Sequence, residues 1–81
     1  MNLNHLQYFL ETCRYGSITK ASEVCHISQP SITAAINNLE KELGAKLFDR
    51  VNNRLRLTVV GEGFKDLTEE FLKTFDDYCQ S

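Results

Sequence analysis

The stretch HISQPSITAAI, residues 26–36, decides the fold. Ser28 has a side chain that is preferred at the N-cap of a helix, and Pro30 follows in the first turn. The missing N–H of proline costs nothing there, because the first N–H groups of a helix have no partner within it. We therefore expect a helix to begin at Gln29 and to end at Gly44. Its apolar face consists of Ile32, Ala35, Ile36, Leu39 and Leu43.

A shorter helix precedes this one. Ser17 is a suitable N-cap, and the helix that it starts runs from Ile18 to Val24 or Cys25. About three residues then separate the two helices, which is the arrangement of a helix-turn-helix motif. His26 occupies the turn, where the backbone often adopts a positive φ that histidine tolerates better than most side chains.

The N-terminal residues predict a further amphipathic helix. Asn2 or Asn4 caps it, and Gly16 ends it. Its apolar residues recur at steps of three and four: Leu3, Leu6, Phe9, Leu10 and Cys13. This spacing is typical of a helix with one face on a core.

After Gly44 the pattern changes to that of a hairpin. Residues 47–51 and 54–58 flank Asn52-Asn53, a pair that tolerates the left-handed backbone of a tight turn. In the second segment two arginines alternate with two leucines, which is the period of a strand. We expect a two-stranded wing with a polar tip.

Thr58 is a suitable N-cap for a long final helix over residues 59–81. An apolar stripe runs along it: Val60, Phe64, Leu67, Phe71, Phe75 and Tyr78. We expect Val60 and Phe64 to join the core. The helix would extend for roughly 35 Å, too far for one small core to cover. The stripe from Leu67 onward, with Phe71, Phe75 and Tyr78, therefore predicts a dimer interface between antiparallel helices.

The net charge of −2 over 81 residues is divided unevenly along the chain. Residues 1–58 carry seven basic and five acidic side chains, whereas residues 59–81 carry two basic and six acidic ones. The balances are +2 and −4, and such asymmetry is a better guide to partners than the total. No apolar run reaches the length of a membrane span, and the N-terminus lacks a signal peptide. Three cysteines without a Cys-x-x-Cys pattern predict reduced thiols in the cytoplasm.

The predicted fold is mainly α with a two-stranded β wing. Residues 1–58 would form a winged helix-turn-helix domain and residues 59–81 a linker helix. Six motifs follow in order: Leu6-x-x-Phe9, Gly16-Ser17-Ile18-Thr19-x-Ala21, Ile27-Ser28-Gln29-Pro30-Ser31-Ile32-Thr33, Ile36-x-x-Leu39-Glu40-x-x-Leu43-Gly44, Leu47-Phe48-x-Arg50 and Leu57-Thr58-x-x-Gly61. Together they closely resemble the N-terminal DNA-binding domain of LysR-type bacterial transcriptional regulators, over nearly the whole chain.

The resemblance implies sequence-specific binding of double-stranded DNA by a homodimer that regulates transcription. In that family the second helix of the motif enters the major groove, the wing approaches the minor groove, and the long helix dimerises. Two-fold symmetry then implies a pseudo-palindromic operator. A small-molecule effector would act only through a C-terminal domain, before which this chain stops. The expected location is the bacterial cytoplasm, at the nucleoid.

By the same resemblance, the recognition helix opens with four DNA-contacting residues: Gln29, Pro30, Ser31 and Thr33. Gln29 can pair with adenine through two hydrogen bonds, and Pro30 can touch a thymine methyl group. Ala34 and Asn37 follow on this face, where many relatives carry Arg or Lys. We expect a methyl contact and a polar contact there, without strong phosphate anchoring.

The wing and the second helix add further expected contacts. Arg54 corresponds to an arginine that enters the minor groove in the family, and Asn53 lies beside it at the tip. Arg50 corresponds to a residue that contacts the DNA backbone. Thr19 and Lys20 are expected to anchor phosphates near the start of the second helix.

Catalysis and metal binding find no support in the sequence. His5 and His26 have no partners at metal-ligand spacing, and no nucleophile–base pair or glycine-rich phosphate loop is present. We expect no enzyme activity and no cofactor. The alternative function is a winged-helix module for protein–protein assembly that does not bind DNA. The uncharged helix face at Ala34-Ala35 and Asn37-Asn38 keeps that alternative open.

Overall fold

The computed structural model describes residues 1–52 and 54–80 and contains four helices and a two-stranded antiparallel sheet. In chain order the elements are α1 (Leu3–Tyr15), α2 (Ile18–Cys25), α3 (Gln29–Leu43), β1 (Phe48–Val51), β2 (Arg54–Leu57) and α4 (Val59–Gln80). The predicted class, mainly α with a β wing, is confirmed. Within the described residues, no helix combines the length and hydropathy needed to cross a membrane.

Local capping residues set the ends of the first three helices. The N-caps are the predicted ones, and each accepts a backbone N–H of the first turn: Asn2 from Asn4 at 2.7 Å, Ser17 from Lys20 at 3.1 Å and Ser28 from Ser31 at 3.3 Å. The C-caps adopt the left-handed conformation, with φ of 61° at Gly16, 59° at His26 and 70° at Gly44. His26 thus closes the helix-turn-helix turn as predicted.

The main core is centred on the fully buried ring of Phe9 on α1. The rings of Phe48 on β1 and Phe64 on α4 pack against it, with centroids 5.5 and 5.2 Å away. Buried Leu39 and Leu47 complete the cluster. One aromatic side chain thereby joins α1 to α3, the wing and α4.

A smaller cluster fixes the angle between α2 and α3. Ala21 on α2 is fully buried against Ile32 and Ile36 of α3, and Cys25 and Ile27 pack on its edge. The small side chain of alanine allows the two helices to approach closely. Burial of this α3 face leaves the opposite side of the helix in solvent.

The wing is a hairpin whose turn includes Asn52 at a φ of 52°. Its register pairs Phe48 with Leu57 and Arg50 with Leu55. Directly opposed residues share a face of the sheet, so these four side chains lie on the same side. Phe48 and Leu57 pack on the core, which turns this face toward the helices.

Helix α4 contacts the core through a different stripe from the predicted one. The expectation for Phe64 is confirmed, but Val60 is 46% exposed and the expectation that it joins the core is wrong. The covered face instead contains Gly61, Thr68 and part of Leu72. At about 100° per residue, Val60 lies about 40° from Phe64 and on the side away from this face. The Val60 side chain therefore lies on the same side of α4 as the exposed residues Leu67 and Phe71.

Candidate nucleic-acid interface

The solvent-facing side of α3 carries residues that are predicted to contact DNA. Gln29, Thr33 and Asn37 are exposed and follow one another at intervals of one turn, and Pro30 and Ala34 are exposed beside them. Their backbone is held by burial of the opposite face of α3 in the two clusters. The row is therefore presented on a rigid helix.

Ser31 is exposed as well, but its hydroxyl is engaged locally. The Oγ atoms of Ser28 and Ser31 are 2.8 Å apart and share a hydrogen bond, while Ser28 Oγ also accepts the Ser31 N–H. A hydroxyl has one proton and two lone pairs, so Ser31 keeps acceptor capacity after this contact. Its predicted contact with DNA would have to coexist with the cap.

The first turn of α2 presents Thr19 and Lys20 to solvent. The Ser17 cap accepts the Lys20 N–H, and Ser22 Oγ donates to the Thr19 carbonyl at 2.7 Å. These bonds fix the backbone of the turn and leave the side chains of Thr19 and Lys20 exposed. The geometry suits contacts to a phosphate near the helix start.

Arg50 extends the core-facing side of the wing into solvent. It lies on the same face as Phe48 and Leu57, which pack on the core, and it is paired with Leu55. The exposed Arg50 side chain therefore emerges beside the helices. Arg54 begins β2 after the turn and is also exposed. The predicted contact at Asn53 lies outside the described residues.

These elements surround a groove of about 390 Å³. It is lined by Gly16, Ser17, Ile18, Thr19, Gln29, Thr33, Arg50, Arg54 and Leu55. Five predicted contact residues are thus brought together from α2, α3 and both strands of the wing: Thr19, Gln29, Thr33, Arg50 and Arg54. Lys20, Pro30, Ser31, Ala34 and Asn37 are exposed but lie outside this lining.

The groove is electropositive for two reasons. Its described lining has two charged residues, and both are arginines. The N-termini of α2 and α3 also border it, at Ser17 and Gln29. Helix N-termini carry a partial positive charge and backbone N–H groups that favour anions. The arrangement suits an anionic polymer that follows the surface from α2 to the wing.

Four lining residues were not predicted as contacts: Gly16, Ser17, Ile18 and Leu55. The sequence signals at Gly16 and Ser17 are those of helix ends, and Leu55 has that of a strand interior. Their place in the groove depends on the packing of α2 against α3 and of the wing against both. No local sequence pattern indicates how these elements pack together.

The far half of α4 presents the second predicted surface. Leu67 is 67% exposed and Phe71 is 50% exposed, and Phe75 and Tyr78 are exposed farther along. The rings of Phe71 and Phe75 lie 6.2 Å apart. Beside them an apolar groove of about 290 Å³ separates α4 from the start of α1, where Met1 and Leu3 line it. The apolar surface is continuous across both helices.

The two partly buried thiols, Cys13 and Cys25, are not disposed for metal binding or nucleophilic chemistry. Burial raises the pKa of Cys13 to about 12, with Lys65 acting weakly in the opposite direction. Burial, and then the nearby Glu11 carboxylate, also raise the pKa of Cys25. Thiolates are the reactive and metal-binding form, so both residues act as small apolar side chains. Among the described residues no group of three His, Cys, Asp or Glu side chains is placed to hold a metal ion.

Comparison with known proteins gives a consistent family. Residues 3–62 match the model of the bacterial regulatory helix-turn-helix proteins of the lysR family. The uncharacterized HTH-type transcriptional regulator YwbI of Bacillus subtilis is 49% identical over 57 residues, which cover 70% of this chain and 19% of YwbI. The transcriptional activator protein LysR of Escherichia coli is 41% identical over 61 residues, covering 75% of this chain and 20% of LysR.

The solved structures agree at the level of the fold. BenM_DBD, in its complex with benA site 1 DNA, superposes with a TM-score of 0.94 at 34% identity. The match covers 99% of this chain and 93% of the BenM chain. The chain spans only about a fifth of the length of the curated relatives YwbI and LysR. The match over residues 3–62 is most of the chain, which therefore belongs to the LysR family of bacterial regulatory helix-turn-helix proteins.

Proposed function

We propose that the chain binds double-stranded DNA in a sequence-specific manner, as a homodimer, and acts in transcription regulation. The observation that carries the proposal is the electropositive groove, in which the N-termini of α2 and α3 meet Arg50 and Arg54 of the wing. The fold similarity to BenM_DBD, which is solved as a DNA complex, supports the same function.

In this proposal α3 enters the major groove with its first turns leading. Gln29 and Thr33 line the groove on the protein surface, and their side chains can form hydrogen bonds with base edges. Pro30 and Ala34 offer small apolar surfaces to thymine methyl groups, and Asn37 adds a polar contact one turn farther on. The α3 N-terminus holds a phosphate, which fixes the register of the helix on the duplex.

The wing and α2 then clamp the flanking backbone. Arg54 beside the hairpin turn reaches into the minor groove, where a narrow A·T-rich segment attracts arginine. Arg50 pairs with a phosphate, because it emerges on the helix-facing side of the wing. Thr19 and Lys20 anchor a further phosphate. Because α3 carries no charge between residues 29 and 38, phosphate binding depends on these flanking elements.

The homodimer would form through α4. The exposed stripe at Leu67, Phe71, Phe75 and Tyr78 is large and apolar, and such a surface is rarely left in water by a monomer. Antiparallel pairing of two such helices creates a two-fold axis, and a two-fold protein reads a pseudo-palindromic operator.

The matched region is about a fifth of relatives such as YwbI and LysR. We propose that these 81 residues bind DNA and take no part in small-molecule effector recognition. The proposed role is binding without catalysis or a cofactor. The proposed location, with DNA as the partner, is the bacterial cytoplasm, at the nucleoid.

Selection of bound duplexes from a random DNA pool tests the proposal directly. We expect one pseudo-palindromic sequence, bound at least about a thousandfold more tightly than its scrambled form at moderate salt, and a marked loss of affinity as salt rises. Equal affinity for scrambled DNA would exclude sequence-specific binding. Absence of binding even to random duplex at low salt would leave the assembly module as the function.

A matched pair of double variants locates the binding surface. Gln29→Ala with Arg50→Ala removes one amide and one guanidinium from the groove, and we expect specific binding to be lost. Gln7→Ala with Arg14→Ala removes the same groups from exposed positions of α1, and we expect affinity close to that of the original chain. Equal effects of the two pairs would contradict the proposed surface.

A further inference from the structure

The junction between α3, the wing and α4 is built around a single buried residue, Leu47. Its N–H donates to the Glu40 carboxylate near the end of α3 at 2.8 Å. Its carbonyl accepts the backbone N–H of Thr58, at the start of α4, at 3.0 Å. The Glu40 side chain is only 11% exposed, so its carboxylate is largely enclosed by this junction. Lys46 Nζ lies 3.7 Å from Glu40 Oε1.

Thr58 joins the same junction through its hydroxyl. Thr58 Oγ1 donates to the Lys46 carbonyl at 2.6 Å and accepts the Gly61 N–H at 2.9 Å. One side chain thus caps α4 and attaches its first turn to the segment that follows α3. The polar junction fixes where α4 leaves the domain.

Gly61 is the closest point of this attachment. A Cβ atom at this position would overlap the Leu47 carbonyl oxygen and lie 2.9 Å from Cδ2 of Leu57. The obstacle is backbone, which cannot move aside as a flexible side chain would. Gly63, two residues later on the same helix, is different, because a Cβ there would meet nothing within 4 Å.

From these contacts we infer that the Leu47 junction, with Gly61 at its closest approach, sets the spacing of the two DNA half-sites that the dimer accepts. The inference rests on the proposed function. The exposed stripe places the two-fold axis near Phe71, about 20 Å along α4 from Thr58. A tilt of about 10° at the junction would move each DNA-binding domain by about 3.5 Å. The two domains would move in opposite directions, so their separation would change by about 7 Å, or about two base pairs.

The position of Phe64 explains why a Cβ atom added at Gly61 would tilt α4. Its ring is held against Phe9, and it lies three residues beyond Gly61, or about 4.5 Å along the axis. When the first turn is pushed away from Leu47, α4 pivots about this aromatic contact. A displacement of about 1 Å at Gly61 corresponds to a rotation of about 13°. Gly61, Thr58 and Glu40 are therefore positioning residues that need not touch DNA.

The test measures affinity for duplexes that carry the selected half-sites with the central spacer changed by one or two base pairs in either direction. We expect the original chain to prefer one spacing by about tenfold or more over its neighbours. The Gly61→Ala chain should prefer a spacing changed by about one or two base pairs, with its affinity for a single half-site unchanged. Gly63→Ala is the matched control and should keep the original preference.

A folded, dimeric Gly61→Ala chain that keeps the original spacing preference, or weakens at all spacings equally, would overturn the inference. If circular dichroism shows that Gly61→Ala is unfolded, Thr58→Val decides, because it keeps the side-chain shape and loses the hydroxyl bonds. We expect Thr58→Val to accept a wider range of spacings, and an unchanged profile would overturn the inference. If the original chain itself shows no preferred spacing, the proposed dimeric reading of DNA fails instead.

Discussion

Helices α3 and α4 each carry an apolar stripe, but only the stripe of α3 is covered within the chain. Ile32, Ile36 and Leu39 of α3 are buried against α1, α2 and the wing. In α4 residues 73–79 are all exposed, Leu72 is partly covered, and Phe71 is half exposed. The uncovered sides also differ chemically. That of α3 is polar and uncharged at its start, and that of α4 combines an apolar stripe with acidic side chains. The difference supports the proposal that α3 reads base edges and that α4 pairs with another protein surface.

Two phenylalanines provide the strongest test of this contrast. Phe9 is fully buried and Phe71 is half exposed. We expect Phe9→Ala to lower the free energy of unfolding by about 3–5 kcal/mol, because it leaves a cavity at the centre of the core. Phe71→Ala should lower it by about 1 kcal/mol or less at concentrations where the chain is monomeric. Urea denaturation followed by circular dichroism measures both, and equal losses would show that α4 is covered within the monomer.

The dimer interface can be broken without unfolding the domain. Phe71→Asp places a charge in the apolar stripe, and we expect the dimer dissociation constant to rise by about a hundredfold, the size of an interface hot spot. Lys73→Asp changes charge on the acidic side of α4 and is the control, for which we expect little change. Sedimentation equilibrium measures both. A Phe71→Asp chain that stays dimeric would place the interface elsewhere.

Gln29 tests whether the start of α3 reads sequence. Gln29→Ala removes a side chain that can form two hydrogen bonds with adenine, so we expect a loss of about 1–3 kcal/mol in discrimination at one base pair of each half-site. Binding to duplexes with every base at that position measures this. If all sequences lose affinity equally, Gln29 contacts the backbone and not a base.

Arg50 tests the phosphate clamp at the wing. Arg50→Ala should weaken binding to all duplexes to a similar degree and reduce the slope of log affinity against log salt by about one, since one phosphate contact is lost. Arg14→Ala, on α1, removes the same group away from the groove and should leave the slope unchanged. A changed base preference in Arg50→Ala would instead assign Arg50 to base reading.

Cys13 contributes a pH dependence to the free energy of unfolding that develops only above pH 9. Burial raises its pKa to about 12 in the folded chain, from 9.0. The folded state therefore holds this proton more tightly, and its contribution to stability is complete below pH 9 and is lost as the pH rises toward 12. Unfolding free energies measured over this range should fall less steeply for Cys13→Ala than for the original chain. Identical slopes would show that the Cys13 thiol is hydrated.

The sequence predicts most of what depends on neighbouring residues. The caps at Ser17 and Ser28 and the left-handed turn at His26 follow from local hydrogen bonding and backbone preference, and the structure confirms each of them. Val60 shows where this reasoning fails. Apolar residues at steps of three and four fit two adjacent stripes of α4 equally well. The stripe that meets the core is selected by Gly61 and Thr68, which carry no apolar signal. The groove also could not be predicted in full, because it joins α2, α3 and the wing across the tertiary fold.

The uncharged start of α3 has a consequence for the search along a chromosome. Affinity for random DNA comes mainly from phosphates neutralised by Lys and Arg, and residues 29–38 contribute none. In the proposed function only the flanking contacts at Lys20, Arg50 and Arg54 hold the dimer on random DNA. It would therefore dwell more briefly than a dimer with basic residues on α3 at each of the roughly million or more competing sites that a genome offers. Few molecules would be held at wrong positions, so occupancy of the operator would respond quickly to a change in the number of regulators.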